Sequence, residues 1–542
     1  MAFGHNNTGP VFVLELEINT HKSKDRQFFQ HRENTAVSVY DDCLGEALKR
    51  LHKLQHDWIY KYACGQYSYH AQTVEKLEAK IDKLEKERAK FEKPRLVPKQ
   101  LREDLKTARE DLKRHKALKT ISSDAINDVK SYYGYSAGDM DTYVKTPKHY
   151  FDTLGIDECQ KLAERAFAAV DKIRTGQAKR VNFVKREDGI TIEGKSNKSP
   201  LHFDNVTKQL MFGKDHAFEL IVKKKDLYAQ EALTHHCRYV RVIRKDIRGK
   251  IRYYAQLIME GCPPEKRRQV GRKDVSVGLD EGVSTLGISN KKYVGLQELA
   301  PSVKKNEAEI RRLQRAMDRS RRATNPGNYN EDGTIKKGHK TWVKSNHYRK
   351  LQSRLKDQYR KLAAKRKQDH EILANNLIAL GLNIKVETMQ MKALAKRAKK
   401  TTVNKSNGKN NSKSRYGKVI AMRAPAMLIN IIDRKLKYHG SMITKIDTRA
   451  VKASQLNHED GTYQKKALDQ RSSVVEGKPV QREMYSAFVI EHVAPDGSTV
   501  DLKQCHRDFK DFSKHHDAAV DRIRKSDSKH LQWYIHDLPA NA

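Results

Sequence analysis

The chain has 542 residues, and its 108 Lys and Arg outnumber its 67 Asp and Glu, which leaves a formal net charge of +41 at neutral pH. Such self-repulsion excludes an ordinary metabolic enzyme and favours a protein that binds a nucleic acid, because phosphate contacts release counterions and supply sequence-independent affinity. The basic residues are spread along the whole chain, which argues against a basic tail on a neutral fold.

The first predicted element is a strand at 11–19, where VFVLELEIN alternates apolar and polar residues. Helical periodicity then predicts a helix over 40–64 and a helical hairpin over 73–120, which Pro94 and Pro98 interrupt. The N-terminal residues do not resemble a secretory signal, and no apolar run approaches the roughly 20 residues that a membrane span requires. We therefore expect no membrane partner.

An amphipathic helix is predicted at 156–175, and strand signals follow over 181–261, with Gly249 between two alternating runs as in a hairpin. The order of these elements suggests that the N-terminal strand and the later strands form one barrel, with the helical block inserted between them. The basic segment EKRRQVGRKD after Pro264 is typical of a linker.

The second half of the chain begins with VSVGLDEGVSTLGISN at 275–290, which predicts a strand, a turn and a second strand. Long basic helices are predicted at 303–322 and 344–381, and a short apolar strand follows at 382–387. Helix and strand signals resume at 425–447.

Asp280 and Glu387 are the first candidate metal ligands, because each stands at the end of an apolar strand. Phosphodiester hydrolysis is commonly catalysed by two divalent ions about 3.5–4 Å apart, held by carboxylates that converge from distant parts of the chain. Mg²⁺ prefers such oxygen ligands. Either acid taken alone is equally typical of a turn after a strand.

A known family brings these motifs together in the same order. VGLDEGVSTLGIS is similar to its first RuvC motif, and NHYRKLQSRLKDQYRKLAAKRKQDHEILANNLI followed by GLNIKVETMQM is similar to the helical segment that leads to its catalytic Glu. Over roughly residues 160–490 the chain thus resembles the TnpB family of transposon-encoded RNA-guided nucleases, relatives of type V CRISPR effectors. The resemblance implies that Asp280 and Glu387 are metal ligands.

The same resemblance implies a degenerate zinc ribbon. In the family a Thr-Ser-Gln stretch leads into a four-Cys ribbon, and here Ser454 and Gln455 match that entry, whereas residues 461–477 occupy the ribbon position without cysteine. The six cysteines of the chain form no C-x-x-C pair. We therefore expect no zinc and no disulfide framework, as in a protein of a reducing, prokaryotic cytosol.

The third metal ligand has two candidates. QREMYSAFVI at 481–490 lies over the last motif of the family, which places Glu483 where the family carries its final Asp. Asp517, in KHHDAAVDRIR, is the alternative, because an Asp is predicted to begin a helix there as well.

The basic helices supply candidate phosphate contacts, because crowded guanidinium groups repel one another until a polyanion neutralises them. Together with Ser454 and Gln455, the expected nucleic-acid-binding residues are Arg311, Arg312, Arg315, Arg319, Arg321 and Arg322.

The implied fold is a multidomain α/β protein: an RNase H-like (RuvC) mixed sheet with helices, and an N-terminal β-barrel-like wedge with an inserted helical recognition lobe. The expected division is 1–40 and 179–270 for the two parts of the wedge, 41–178 for the recognition lobe, 275–300, 382–452 and 481–542 for the three parts of the RuvC domain with the C-terminal segment, 301–381 for its helical insertion, and 453–480 for the ribbon-like target-strand element.

The expected function is that of an RNA-guided DNA endonuclease, a cytoplasmic and monomeric ribonucleoprotein that binds guide RNA and double-stranded target DNA. It would read a short DNA motif beside the target and cleave with two Mg²⁺ ions, for which Mn²⁺ can substitute. Two alternatives remain open. One is a nuclease-inactive RNA-guided repressor, and the other is an RNase H-fold transposase or resolvase that acts without RNA.

Overall fold

The computed structural model describes residues 9–91, 96–150, 153–264, 270–387, 389–403, 408, 416–467 and 469–539. They form two compact units. The first comprises Val11–Lys245 and Ile251–Gly261, and the second comprises the rest, chiefly the chain from Cys262 onward. The finer division of domains expected from the sequence stays a prediction.

The first unit contains a sheet whose described pairings are antiparallel. Its strands are β1 (Val11–Ile18), β2 (Ile192–Glu193), β3 (Leu201–Asp204), β4 (Gln209–Phe212), β5 (His216–Ile221), β6 (Cys237–Ile247) and β7 (Lys250–Glu260). The order is β2-β6-β7-β1-β5-β4-β3. The predicted N-terminal strand therefore does join the later strands, since β1 pairs with β7 on one side and β5 on the other.

Closure of this sheet into the expected barrel stays a prediction. β2 and β3 stand at the two ends of the strand order, and no strand pairing between described residues joins them.

The helices of the first unit include those predicted over 73–120 and 156–175 and several that the sequence did not predict. They are α1 (Ser23–His56), α2 (Trp58–Arg88), α3 (Lys99–Tyr132), α4 (Ala137–Tyr143), α5 (Lys145–Tyr150), α6 (Ile156–Arg174) and α7 (Leu227–Ala232). α2 and α3 form the predicted hairpin; Pro98 directly precedes α3, whereas Pro94 lies outside the described residues. The single helix expected at 40–64 is interrupted at Asp57, whose carboxylate accepts a hydrogen bond from the backbone of Tyr60 and so begins a new helix.

The second unit is built around a mixed sheet. Its strands are β8 (Ser276–Glu281), β9 (Thr285–Asn290), β10 (Tyr293–Glu298), β11 (Asn383–Glu387) and β12 (Thr444–Ile446), and a separate hairpin is formed by β13 (Ser472–Val475) and β14 (Lys478–Gln481). The order in the sheet is β10-β9-β8-β11-β12. β8, β9 and β10 pair antiparallel, whereas β11 runs parallel to both β8 and β12. The sequence patterns predicted β8, β9 and β11 and strand signals in the region of β12, but not β10, β13 or β14.

The helices of the second unit are α8 (Glu307–Thr324), α9 (Asn346–Leu380), α10 (Met391–Leu394), α11 (Gly417–Arg423), α12 (Pro425–Tyr438), α13 (Thr448–Val451), α14 (Arg482–Glu491), α15 (Leu502–Arg524) and α16 (Lys529–Trp533). α8 starts later than the predicted 303, because Pro301–Asn306 forms a 3₁₀ turn first.

Alternation along the strands gives the mixed sheet two different faces. Val277 and Leu279 of β8 pack with Ile384 and Val386 of β11 in a core that helices α9 and α12 complete. The opposite face carries α14, which packs against β8, β9 and β11. The sheet is therefore covered by helices on both sides, and the intervening residues of β8 and β11 point toward α14.

Glycine permits the close approach of α14 to the sheet. A Cβ at Gly278 would fall on the backbone of Ala487 and Glu491 in α14, and a Cβ at Gly287 would fall on the backbone of Glu483. Neither obstacle is the end of a flexible side chain, so a larger residue requires the helix to move. These two glycines thus allow α14 to lie close to the sheet. Gly287 faces the first turn of the helix.

We expect Gly278→Ala to lower the free energy of unfolding by about 3 kcal/mol, since the new methyl group forces backbone apart in a packed core. Thermal and urea denaturation of the purified protein measure this. Gly327→Ala is the matched control, because a Cβ at Gly327 meets nothing within 4 Å. Equal stability of the two variants would contradict the proposed packing.

Candidate active site

Asp280 and Glu387 lie side by side at the ends of neighbouring parallel strands. In the register of β8 and β11, Leu279 pairs with Val386, so the next residue of each strand occupies the equivalent position. Because Leu279 and Val386 face the core under α9 and α12, the following residues face α14. Two carboxylates separated by more than one hundred positions in the chain are thereby brought to one point.

Glu483 approaches the same point from α14. It stands in the first turn of that helix, which Gln481 begins by accepting a hydrogen bond from the backbone of Met484. The side chain of Gln481 also donates to the Glu483 carboxylate. The close approach at Gly287, opposite Asp280 in the β8–β9 pairing, places this helix turn over Asp280.

Both strand-end acids have raised pKa values, which burial causes at each of them and which neighbouring negative charge increases at Asp280. The pKa of Asp280 is raised well above its usual value, first by burial and then by the charges of Glu387 and Glu483, while Ser486 and Arg482 act in the opposite direction. Burial also raises the pKa of Glu387, against a hydrogen bond from the backbone of Ala453. Acids whose charge is disfavoured in this way are typical of a site that a cation completes.

Basic side chains compensate part of this charge. Arg471 donates to the Glu483 carboxylate at 2.7 Å, and its guanidinium lies 4.4 Å from the ring centre of Trp533 and 5.0 Å from that of Tyr534. The pKa of Lys466 is lowered to about 8, first by burial and then by the charge of Arg482, while the charge of Glu483 acts in the opposite direction. Sequence reasoning did not identify Arg471 or Lys466, because neither belongs to a motif that signals chemistry.

The carboxylates of Asp280, Glu387 and Glu483 are not all close enough to one another to surround a single ion. Their carboxylate oxygens do not all lie within 4.8 Å of one another. Glu483 is directed toward Arg471 and Gln481, both of which donate to it. The donor set itself, which consists of carboxylates from two strand ends and one helix start, is of the kind that Mg²⁺ prefers.

Asp517 does not begin a helix, contrary to the sequence prediction. It lies well inside α15, which instead begins after Asp501, whose side chain accepts from the backbone of Gln504. The Asp517 carboxylate is half exposed and bonds to Nδ1 of His516 at 3.0 Å. The other ring nitrogen of His516 accepts from the backbone of Gln481, so Asp517 reaches the acidic site only through two intermediaries.

Ser454 and Gln455 follow, in the sequence, a residue that contacts the acidic site. They directly follow Ala453, whose backbone bonds to Glu387, and both are partly exposed. The segment that follows folds without cysteine: Leu456 and Tyr463 form a β-bridge, and β13 and β14 form a hairpin. Leu456, Val475 and Val480 of this segment join the core that contains α14 and α15.

The arginines of α8 fall into two groups. Arg311, Arg312, Arg315 and Arg319 line an open groove along one face of the helix. Arg311 and Arg312 pair with Glu307 and Glu309 within the helix, whereas no carboxylate in the described residues lies within ion-pair distance of Arg315 or Arg319.

Arg321 and Arg322 have different surroundings. Both pair with Asp318. The guanidinium of Arg321 lies 5.1 Å from the ring centre of Trp342, and that of Arg322 lies 4.8 Å from the ring centre of Tyr329. They hold the loop that follows α8, a role that their spacing in the sequence did not reveal.

Glu281, beside Asp280, points away from the acidic site. It is 4% exposed, one of its carboxylate oxygens has no partner among the described residues, and burial raises its pKa from 4.5 to about 7. The contribution of Glu281 to folding stability is fully present at pH values below 4.5, the pKa of this group in the unfolded chain. It is lost as the pH rises through about 7, the pKa in the folded protein.

We therefore expect the wild type to lose about 3 kcal/mol more stability than Glu281→Gln between pH 5 and pH 8. Urea denaturation at both pH values, with a chelator present, measures the difference. Parallel pH profiles for the two proteins would show that Glu281 does not titrate as its burial requires.

No helix in the described part of the chain is long and apolar enough to cross a membrane. No family model matches the chain, and no curated protein matches its sequence. Among solved structures the chain is similar to a protein in a cryo-EM structure of a Cas12f1–sgRNA–target DNA complex, with 11% identity over 90% of this chain and 99% of that chain and a TM-score of 0.43. It is also similar to a chain in a cryo-EM structure of a CRISPR-Cas12f ternary complex, with 13% identity over 64% of this chain and 71% of that chain and a TM-score of 0.24. At these TM-scores neither similarity assigns a fold or a function to this chain.

Proposed function

We propose that the protein is an RNA-guided DNA endonuclease whose RNase H-like (RuvC-type) domain hydrolyses DNA with two Mg²⁺ ions. The observation that carries the proposal is the equivalent position of Asp280 and Glu387 at the carboxyl ends of two adjacent parallel strands, under a helix that presents Glu483. Strand-end carboxylates that converge in this way are suited to hold a pair of metal ions at a phosphate.

The topology of the sheet supports the RNase H-like assignment. Three antiparallel strands in chain order, followed by two strands parallel to the first, give the order β10-β9-β8-β11-β12. Helices cover both faces, and the chain re-enters the sheet region through α14 with the last acid. The ordered motifs around Asp280, Glu387 and Glu483 agree with this arrangement.

Asp280, Glu387 and Glu483 would hold the metal ions, which supply a nucleophilic water and stabilise charge on the attacking and leaving oxygens. The backbone N–H of Ala453 orients the Glu387 carboxylate. Arg471 pairs with Glu483 and balances part of its charge. Its guanidinium, held against Trp533 and Tyr534, would also be placed to contact a DNA phosphate.

Guide RNA and target DNA are the partners that the charge and the motifs favour. The formal charge of +41 favours a large polyanionic partner, and the arginine groove of α8 offers guanidinium groups on a single face. In a guided nuclease, base pairing supplies sequence specificity and the protein reads the shape and charge of the heteroduplex.

We expect Arg315→Ala combined with Arg319→Ala to reduce the slope of log affinity against log salt concentration by about 2, since each lost phosphate contact removes roughly one unit. Binding of a nucleic-acid duplex between 50 and 300 mM salt measures the slope. Arg321→Ala is the matched control, because Arg321 contacts Trp342 and Asp318 instead. An unchanged slope in the double variant would remove α8 from the binding surface.

The deciding experiment is purification of the protein with its bound nucleic acid, sequencing of any discrete RNA, and incubation of the complex with a plasmid that matches this RNA and with Mg²⁺. Guided cleavage that stops after RNase treatment supports the proposal. Guided binding without cleavage would identify a repressor, and cleavage unaffected by loss of RNA would identify a transposase or resolvase. Each of these two outcomes would overturn the proposal.

A further inference from the structure

A second cluster of metal-binding side chains lies in the C-terminal part of the second unit. It consists of His458, which follows the Ser454–Gln455 pair, Glu476 at the turn between β13 and β14, and His506 in α15. One potential ligand atom from each of these side chains lies within 4.8 Å of the other two, and no other such trio of His, Cys, Asp or Glu occurs among the described residues.

The geometry is centred on one carboxylate oxygen. Oε1 of Glu476 lies 3.1 Å from Nε2 of His458 and 2.8 Å from Nδ1 of His506, and the two imidazole rings have centroids 5.0 Å apart. Around a tetrahedral Zn²⁺ with bonds of about 2.0–2.1 Å, ligand atoms are roughly 3.3–3.4 Å apart. The two distances from Oε1 of Glu476 therefore need to lengthen by only a few tenths of an ångström to accept such an ion, and the ligand nitrogens of the two histidines lie within 4.8 Å of each other.

The surroundings of His458 hold its ring in one orientation. Its side chain is fully buried, and its Nδ1 lies 2.8 Å from the hydroxyl of Tyr485, which also accepts from the backbone N–H of His458. A hydrogen bond at one ring nitrogen orients the ring and directs the other nitrogen toward the cluster. The ring also contacts Phe488 and Phe509, so it cannot turn without disrupting the core.

Glu476 occupies a position where a glutamate is unfavourable for the backbone. Its φ is +46°, in the left-handed region, and Gly477 after it has a φ of +72°. Tight hairpins with two such residues strongly prefer Asn-Gly, Asp-Gly or Gly-Gly. Strain of this kind at a side chain that joins a cluster suggests a role for the side chain itself.

We propose that His458, Glu476 and His506 bind one Zn²⁺ ion, which ties the β13–β14 hairpin and the loop at His458 to α15. Two imidazole nitrogens and one carboxylate oxygen suit Zn²⁺ and other nitrogen-binding transition ions, and disfavour Mg²⁺. His506 and Glu476 are partly exposed, so the fourth coordination position faces solvent. Sequence analysis expected no zinc because the cysteines are missing; here the ligands are histidine and glutamate instead.

The proposed Zn²⁺ site does not depend on the proposed nuclease function. It would add a link between elements that already share a hydrophobic core formed by Leu456, Val475, Phe509 and their neighbours, and hydrogen bonds such as the one from the backbone of Gln481 to His516. A His₂Glu set with one water is also a common catalytic arrangement, but the cluster is bordered by core aromatic residues and its ligands come from the three elements that need to be joined. Its role is therefore structural.

The experiment measures Zn²⁺ binding to the full-length protein after chelation and dialysis, by calorimetry and by metal analysis. All measurements are made in excess Mg²⁺ and in the Asp280→Asn background, so that the acidic site does not contribute. We expect one Zn²⁺ per chain, and a loss of affinity of at least about 100-fold in His506→Gln and in Glu476→Asn, since even the loss of an outer partner lowers metal affinity 10–100-fold. Glu476→Asn also relieves the turn, so its failure to bind cannot be attributed to a misfolded hairpin.

His515→Gln is the matched control, because it lies in the same helix and is outside the cluster. It is expected to bind Zn²⁺ as the parent does. Substitution with Co²⁺ provides a measurement that needs no ligand variant, since tetrahedral coordination gives much stronger visible absorption than octahedral coordination. The proposal is overturned if the parent binds no Zn²⁺, if the two ligand variants lose less than tenfold in affinity, or if Co²⁺ gives only a weak octahedral spectrum. None of these results would bear on DNA cleavage.

Discussion

Asp280→Asn and Glu387→Gln are each expected to reduce metal-dependent DNA cleavage by at least about 1000-fold while leaving nucleic-acid binding within about threefold of the wild type. Both substitutions preserve shape and remove one of the charges that would hold the ions. A gel-based cleavage assay with the assembled complex measures the first quantity, and a binding assay without divalent ions measures the second.

The matched control for both variants is Glu281→Gln, which removes a carboxylate from the residue next to Asp280 but on the opposite face of β8. It should cleave normally at pH 7. If Asp280→Asn cleaved as well as this control, the proposed active site would be wrong. If Asp280→Asn also lost nucleic-acid binding, the defect would be one of assembly and not of chemistry.

Stability without metal gives an independent measure of the same site. The raised pKa values of Asp280 and Glu387 mean that their contribution to folding is present at low pH and is lost as pH rises through the folded values. Each amide variant should therefore melt at a higher temperature than the wild type in chelator at pH 8. Mg²⁺ should reduce or reverse that difference, because only the wild type can bind it fully.

Glu483→Gln is expected to lower cleavage by at least about 100-fold, whereas Asp517→Asn should lower it by less than about tenfold. The reason is that Glu483 acts directly on Asp280, while Asp517 is half exposed and reaches Gln481 only through His516. Single-turnover cleavage rates at saturating Mg²⁺ compare the two variants under the same conditions.

The reverse order of these two effects would make Asp517 the third ligand and would require α15 to move in the complex. Glu483→Asp provides a further control, since it shortens the side chain by one methylene and keeps the charge. We expect it to retain more activity than Glu483→Gln. Equal loss in both would show that reach, and not charge, limits the function of this residue.

Local patterns in the sequence were sufficient for the central sheet and for two of its acids. The alternation in VSVGL and in NIKV assigns strands that end at Asp280 and Glu387, and the helices between them follow from spacing alone. Parallel strands place their carboxyl ends at one edge, so the meeting of these two acids was predictable once the strands were assigned. The motif order pointed to Glu483 as well, and the structure places its charge near Asp280.

Other features depended on contacts between residues that are distant in the chain. The side chain of Asp501 starts α15 ahead of Asp517. Arg471 pairs with Glu483, and Arg321 stacks on Trp342. The spacing of these residues in the sequence follows neither the strand period nor the helix period.

The sequence alone determined most of the elements of the central sheet, the strand-end acids and the expectation of a polyanionic partner, because periodicity, turn residues and net charge are local or additive properties. Tertiary structure alone decided which charges face each other. His458, Glu476 and His506 illustrate the difference, since no fixed spacing relates a buried loop, a strained hairpin turn and a helix. Their meeting follows from the packing of three elements around one core, and packing is a property of the whole fold.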